Sequence, residues 1–169
     1  MTKLKKTFIG IAVAMAVLIS LAIVIPNLQR SRMSGPSAGA STVRSINTAQ
    51  ITYATTYPKI GYAPNLAVLG PAESGNCDSS HACLLDLVTA CPQGIGEGWC
   101  VKDFYRYNIQ TSSTEPPYRD YWITATPIRP DPTGRNYCSA SDAVIRSEQA
   151  APLSRPYTLE DCQALPEIH

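Results

Sequence analysis

Cysteine dominates the side chains that could do chemistry in this chain. Six cysteines, Cys77, Cys83, Cys91, Cys100, Cys138 and Cys162, all lie beyond residue 76. The successive gaps hold 5, 7, 8, 37 and 23 residues, so no pair has the C-x-x-C spacing of a thiol oxidoreductase or a zinc knuckle. An even count in a small exported domain reads instead as a disulfide framework. Six cysteines allow about fifteen connectivities. The local set is the one expected: Cys77 with Cys83, Cys91 with Cys100, and Cys138 with Cys162. The last pair would tether a tail that carries Pro152, Pro156 and Pro166. A closed loop of that length stabilises a fold by about 3 kcal/mol in the chain-entropy account.

Acid–base and nucleophilic chemistry have little to work with. The histidines are His81 and His169, the latter being the last residue. His81 lies between Cys77 and Cys83, a spacing that a Cys-His-Cys metal cluster could use, although an exposed histidine in a disulfide-closed loop is the reading preferred. No G-x-S-x-G, H-E-x-x-H or phosphate-loop pattern occurs, and Gly94-Ile95-Gly96-Glu97-Gly98 follows Pro92 and precedes Trp99 without opening a helix. It reads as a flexible turn. Asp131 and Asp142 flank the expected final strands, but two carboxylates are too few for a calcium site. No catalytic, cofactor-binding or metal-ligating residue is assigned, no cofactor is expected, and an enzyme is disfavoured.

The charge distribution places these residues. Lys3, Lys5, Lys6, Arg30 and Arg32 are the only charges before Ser34, giving +5, whereas the remaining 9 basic residues face 13 acidic ones, giving −4. The body has no basic stripe with interleaved aromatics, which excludes a nucleic-acid partner. From Phe8 to Ile25 run 18 uncharged residues, about 27 Å of helix and enough to cross the hydrocarbon of a bilayer. A cleavable signal peptide is the rival, but the small-x-small triplet Ala38-Gly39-Ala40 lies far beyond the apolar run and after Arg30 and Arg32. Retention as a single-pass anchor is preferred. The lysines before the span and the oxidising compartment that disulfides need put the N-terminus in the cytoplasm and the body outside it.

After the span come Ile25-Pro26-Asn27-Leu28-Gln29-Arg30-Ser31-Arg32-Met33 and, further on, Arg44-Ser45-Ile46-Asn47-Thr48-Ala49-Gln50-Ile51-Thr52-Tyr53. These phrases resemble the type IV pilin-like and type II secretion pseudopilin family. The resemblance implies a membrane helix kinked at Pro26, an amphipathic continuation, and a small antiparallel sheet in the periplasm. It also implies that the partners are other pilin or pseudopilin subunits or secretion and pilus assembly proteins. Aligned on Pro26, the family's peptidase glycine falls at Leu4 and its position-five glutamate at Ile9. Both signature residues are replaced.

The expected architecture is α+β: a long helix, first membrane-spanning and then amphipathic, packed on a small antiparallel β-sheet with disulfide-bonded loops. The segments read as a basic leader over 1–7, a membrane half over 8–25 and a helix continuation over 26–57 with a possible break at 34–36. A cysteine-rich insert with loop and short helix follows over 58–103, then a sheet over 104–146 and an irregular tail over 147–169. Val43, Ile46, Gln50, Tyr53 and Tyr57 step by three and four along one helical face. Pro58 and Gly61 should end that helix. Ser79 or Ser80 is expected to cap a second helix through Ala90, which would hold Cys83 and Cys91 about 12 Å apart and unable to pair. Phe104–Gln110 and Tyr121–Thr126 alternate with period two and read as strands. Asn136–Ser139 and Ala143–Arg146 complete a meander.

Overall fold

A computed structural model of the chain describes residues 37–72, 74–91 and 98–168. The apolar run from Phe8 to Ile25, the kink at Pro26, the break at 34–36 and the glycine-rich turn at 94–98, except Gly98, lie outside them. Among the described residues no helix is long and apolar enough to cross a membrane.

The first helix, α1, occupies residues 37–56. Its apolar positions recur every three or four residues, so one face can leave water as a stripe. That face does so: Ala40, Val43, Ile46, Ala49 and Tyr53 are buried, together with Gln50. The opposite face carries hydroxyls. Ser45, Thr48, Thr52 and Thr56 each donate to the carbonyl four residues earlier, so their side chains are satisfied within the helix. Pro58 disfavours helical backbone at Tyr57, and α1 stops at residue 56. Gly61 then adopts φ +84°, where a Cβ would lie 2.2 Å from the Tyr118 carbonyl oxygen.

Five strands follow: β1 Cys100–Lys102, β2 Tyr105–Thr111, β3 Tyr121–Pro127, β4 Asn136–Ala140 and β5 Ile145–Glu148. They form one sheet in sequential order, each neighbouring pair antiparallel. The fold is therefore α+β, a helix on a small antiparallel sheet, with disulfides. In β2 and β3 the alternate residues Tyr105, Tyr107, Ile109, Tyr121, Ile123 and Ala125 are all buried and join the α1 stripe in one core. Helix and sheet are in register. Gly39 sits where a Cβ would fall 2.9 Å from the Tyr105 and Tyr137 rings, and Asn47 reaches Ser139 and Tyr121. The helix thus begins at the sheet end bearing the β1–β2 turn and the β3–β4 loop, and runs toward the opposite end.

Several expectations are corrected. The helix expected over residues 81–90 shrinks to α3, Leu87–Ala90, capped by Asp86 and not by Ser79 or Ser80. The cause is tertiary: Ala82, Cys83 and Leu84 give their N–H groups to the carbonyls of Val68, Gly70 and Leu69. Those carbonyls belong to the end of the short helix α2, Leu66–Leu69, and to Gly70 after it, so the donors a helix would need are committed elsewhere. Cys83 itself has φ 55°, and the premise that it shares a helix with Cys91 fails. Strand β1 lies in a segment read as loop, being too short to show alternation. The last strand starts at Ile145, because Ala143 has φ 59° and the Asp142 carboxylate accepts from the Val144 N–H in a turn.

The tail expected to be irregular over 147–169 carries part of β5 and a helix, α4 Leu159–Ala164. Thr158 and Asp161 form a capping box, each side chain accepting from the other's backbone N–H. This tail covers the sheet face away from α1. Tyr157, Cys162, Leu153, Leu159 and Leu165 pack with Cys138, Ala140 and Trp122 in a second, smaller core.

Candidate functional site

All six cysteines are joined in the local set. Cys77–Cys83, Cys91–Cys100 and Cys138–Cys162 have Cα separations of 5.5, 5.6 and 5.5 Å, within the range a disulfide spans. The first two lie in the insert, and the third ties α4 to β4. Cys77 and Cys83 thus hold each other's sulfurs, which leaves His81 without thiolate co-ligands. Among the described residues no group of three or more His, Cys, Asp or Glu could hold a metal ion.

His81 does have polar neighbours. The Ser80 hydroxyl donates to Asp78 Oδ1 at 2.6 Å and lies 3.1 Å from His81 Nδ1. Serine, histidine and aspartate therefore meet, but in the wrong order for nucleophile activation. A triad needs the imidazole to take the hydroxyl proton and the carboxylate to orient the imidazole. Here the carboxylate holds the hydroxyl directly, and it also accepts from the backbone N–H groups of Ser80 and His81. The arrangement is an Asx-type turn. The Ser80 hydroxyl, with these N–H groups, holds the Asp78 carboxyl below its usual range.

Asp131 and Asp142, the two carboxylates weighed for calcium, are also structural and are not brought together. Asp131 accepts from the N–H and the hydroxyl of Thr133, which lower its pKa, the backbone donor first. Burial pushes the Asp142 carboxyl up, but the Arg146 guanidinium at 2.8 Å and the Val144 N–H together outweigh it and the net shift is down. Arg146 also reaches Glu167 at 3.4 Å, linking β5 to the end of the tail.

Sequence reasoning missed the polar residues that join one layer to the next. Asn47 donates to the Ser139 hydroxyl at 2.8 Å and accepts from the Tyr121 hydroxyl at 3.0 Å, which joins α1 to β3 and β4. Gln50, read as part of the core stripe, donates to the Ala63 carbonyl at 2.9 Å and accepts from the Ala63 N–H at 2.8 Å. On the opposite sheet face, polar side chains hold the tail. Thr124 accepts from the Tyr157 N–H, Thr126 from the Leu153 N–H, Asn136 donates to the Ala151 carbonyl and Trp122 to the Tyr157 carbonyl. Arg106 donates to the Leu153 carbonyl and stacks 4.7 Å over the Trp99 ring. The alternation of Thr124 and Thr126 with Ile123 and Ala125 in sequence was the available signal. It distinguished two faces but not what would cover the polar one.

The buried tyrosines are ordinary core members. Burial pushes the Tyr105 phenol up to about 12 and raises Tyr107 and Tyr121 further, so none is a proton donor near neutrality. Among its charged and polar groups the described surface also exposes large apolar side chains. Leu87 and Val88 project from α3, each 58% exposed, while Phe104 and Ile128, 62% and 46% exposed, sit together where the Ile128 N–H meets the Phe104 carbonyl. The described domain thus offers stapled loops and apolar surface points, with no assembled catalytic group. Compared with protein-family models, with curated proteins and with solved structures, the chain matches none of them.

Proposed function

We propose that this chain is a membrane-anchored, pilin-like structural subunit, a minor pilin or pseudopilin of a type IV pilus or type II secretion apparatus, and not an enzyme. One observation carries the reading: the amphipathic helix over 37–56, preceded in the sequence by the apolar stretch from Phe8 to Ile25, lays its stripe along a sequential antiparallel sheet. A helix that serves both as anchor and as the spine of an extracytoplasmic sheet is the design the Pro26–Met33 phrase implies. The proposed location is a bacterial inner membrane, crossed once, with the disulfide-bonded domain in the periplasm, or outside the cell if the subunit enters a filament. Its partners would be other pilin-like subunits or assembly proteins.

A second reading has its own support. Leu4 and Ile9 stand where the family carries its processing glycine and its glutamate, and the insert is stapled by Cys77–Cys83 and Cys91–Cys100. Both features suit a single-pass periplasmic binding module that is neither processed nor polymerised, since stapled loops present a surface without a larger core. Intact mass of the protein purified from its native membrane separates the two. Loss of a short leader with an N-methylated new terminus supports the subunit, whereas a terminus at Met1 or Thr2 removes processing. Crosslinks to pilus or secretion components would then exclude the independent module, and their absence would exclude the assembly subunit.

A further inference from the structure

We infer that the outer edge of β5 is a self-association surface, held shut by residues 166–168, on which a second copy of this chain pairs its own β5 antiparallel about Ser147. The contact lies within the described domain and needs neither the membrane span nor the pilin-like function.

A strand at the edge of a sheet presents N–H and C=O groups to any extended segment that reaches it. At β5 the chain covers that edge itself. The Ser147 N–H donates to the Pro166 carbonyl at 2.9 Å, the Ile168 N–H donates to the Ile145 carbonyl at 3.0 Å, and Arg146 and Glu167 form an antiparallel bridge between them. Residues 166–168 thus lie on β5 as a short strap. Besides those two backbone bonds it is held by the half-exposed Glu167 carboxylate, 3.4 Å from Arg146, and by Ile168 against the main core. The cover is also incomplete. In an antiparallel pair the N–H and C=O of one residue point to the same side, so the Ser147 carbonyl faces Pro166, which has no N–H to give. Before the strap, the Cys138–Cys162 bond and the Thr158–Asp161 capping box hold α4 in place, so the strap can leave without it.

Hydrogen-bond parity and charge select a second β5 as the occupant. Ile145 and Ser147 turn their backbone groups outward, so a symmetric antiparallel partner can be centred on Ser147 opposite Ser147 or on Arg146 opposite Arg146. The second register sets two arginines against each other, which is unfavourable across a strand pair. The first sets each Arg146 opposite the second copy's Glu148, and opposite charges there are favourable. Both side chains lie on the sheet face that the tail covers, where Glu148 accepts from the Tyr157 hydroxyl and Arg146 pairs with Asp142 at 2.8 Å. The second copy's Glu148 therefore takes the place that Glu167 holds in the strap. The two Ser147 residues exchange both N–H···O bonds, which gives the Ser147 carbonyl the donor that Pro166 lacks. Because the same edge serves both copies, the contact closes at a dimer.

The test is sedimentation equilibrium of the full chain in density-matched detergent, which reads the protein mass alone, with near-ultraviolet circular dichroism to check that each variant is folded. Two variants open the edge. One ends at Leu165; the other, E167K/I168P, keeps the full length but sets a cation against Arg146 and removes the N–H that Ile145 receives. Either one, when folded, is expected to double the mass relative to wild type at the same concentration. In the opened background R146E and E148R should each return to the wild-type mass, because each sets like charges across the contact. An equimolar mixture of those two should double it again, because the mixed pair restores both opposite-charge contacts. An opened, folded chain that keeps the wild-type mass overturns the surface. Association that survives R146E and E148R overturns it too, since another face would then carry it, and so does a mixture that stays at the wild-type mass. If neither opened chain folds, residues 166–168 are part of the core and not a cover, and the surface is likewise refuted.

Discussion

Removing Gln50 tests how the helix is fastened to the rest of the domain. Its side chain is fully buried on α1 and both ends of its amide meet the backbone of one residue, Ala63, which is itself fully buried. In Q50A both hydrogen bonds disappear, and the N–H and carbonyl of Ala63 are left without partners where water does not reach. Each orphaned group costs about 1–3 kcal/mol. Alanine's better helix propensity returns only about 0.4 kcal/mol, so the net loss is about 3 kcal/mol. At about 3 °C per kcal/mol for a chain of this size, the melting midpoint should fall by about 9 °C. Near-ultraviolet circular dichroism of the full chain reads this directly, since the signal comes from nine tyrosines and two tryptophans, most of them packed in or near the core. T48A is the control, because the Thr48 hydroxyl binds only the Arg44 carbonyl of its own helix. Q50E supplies a second arm. A protonated carboxyl can donate to the Ala63 carbonyl and accept from its N–H, and a carboxylate cannot, so the folded pKa of that glutamate is raised. A raised folded pKa contributes stability below the unfolded value of about 4.3 that is lost as pH rises through the folded value. Q50E should therefore approach wild type in acid and fall away toward neutrality. A Q50A midpoint within about 2 °C of wild type, or a Q50E stability that does not change with pH, would refute the clip.

Three further outcomes are expected. The double substitution C138A/C162A releases a loop with a sequence separation of 24 and should cost about 3.5 kcal/mol in the chain-entropy account, read as a lower urea midpoint and as proteolytic nicking between β5 and α4 that the wild type resists. G61A meets the Tyr118 carbonyl at 2.2 Å with φ at +84° and should lose about 2 kcal/mol or more, whereas G75A, with open space around its Cβ position, should lose less. The Lys102 ammonium at 2.8 Å, with Thr89, holds the Asp86 carboxyl well below the usual carboxylate range. Its stabilisation is therefore present above the unfolded value of about 3.9 and lost as pH falls through the lower folded value. For so exposed a pair the D86N penalty should be about 1 kcal/mol near neutrality, and the gap in denaturant midpoint to wild type should narrow from pH 6 down to pH 2; a constant gap would contradict the assignment.

The sequence by itself determined whatever depends on neighbours three, four or two positions away. The stripe Val43, Ile46, Gln50, Tyr53 is legible as a buried helical face, and Tyr105, Tyr107, Ile109 with Tyr121, Ile123, Ala125 as the inner face of paired strands, because side-chain direction repeats with the backbone period. Proximity also made the local cysteine pairs readable, since short loops close at least entropic cost. The capping box at Thr158 and Asp161 is equally local, a T-x-x-D pattern, although Pro152, Pro156 and Pro166 around it read as irregular chain. Tertiary structure alone decided where competing donors and acceptors ended up. Residues 82–84 carry a helical composition, yet their N–H groups close the end of α2, and α3 starts only at Leu87. Likewise Asn47, Gln50, Thr124 and Thr126 are polar residues whose partners lie 92, 13, 33 and 27 positions away. Burial makes an unpaired polar group costly, so the fold supplies each of these four with a partner, and no local pattern records which one.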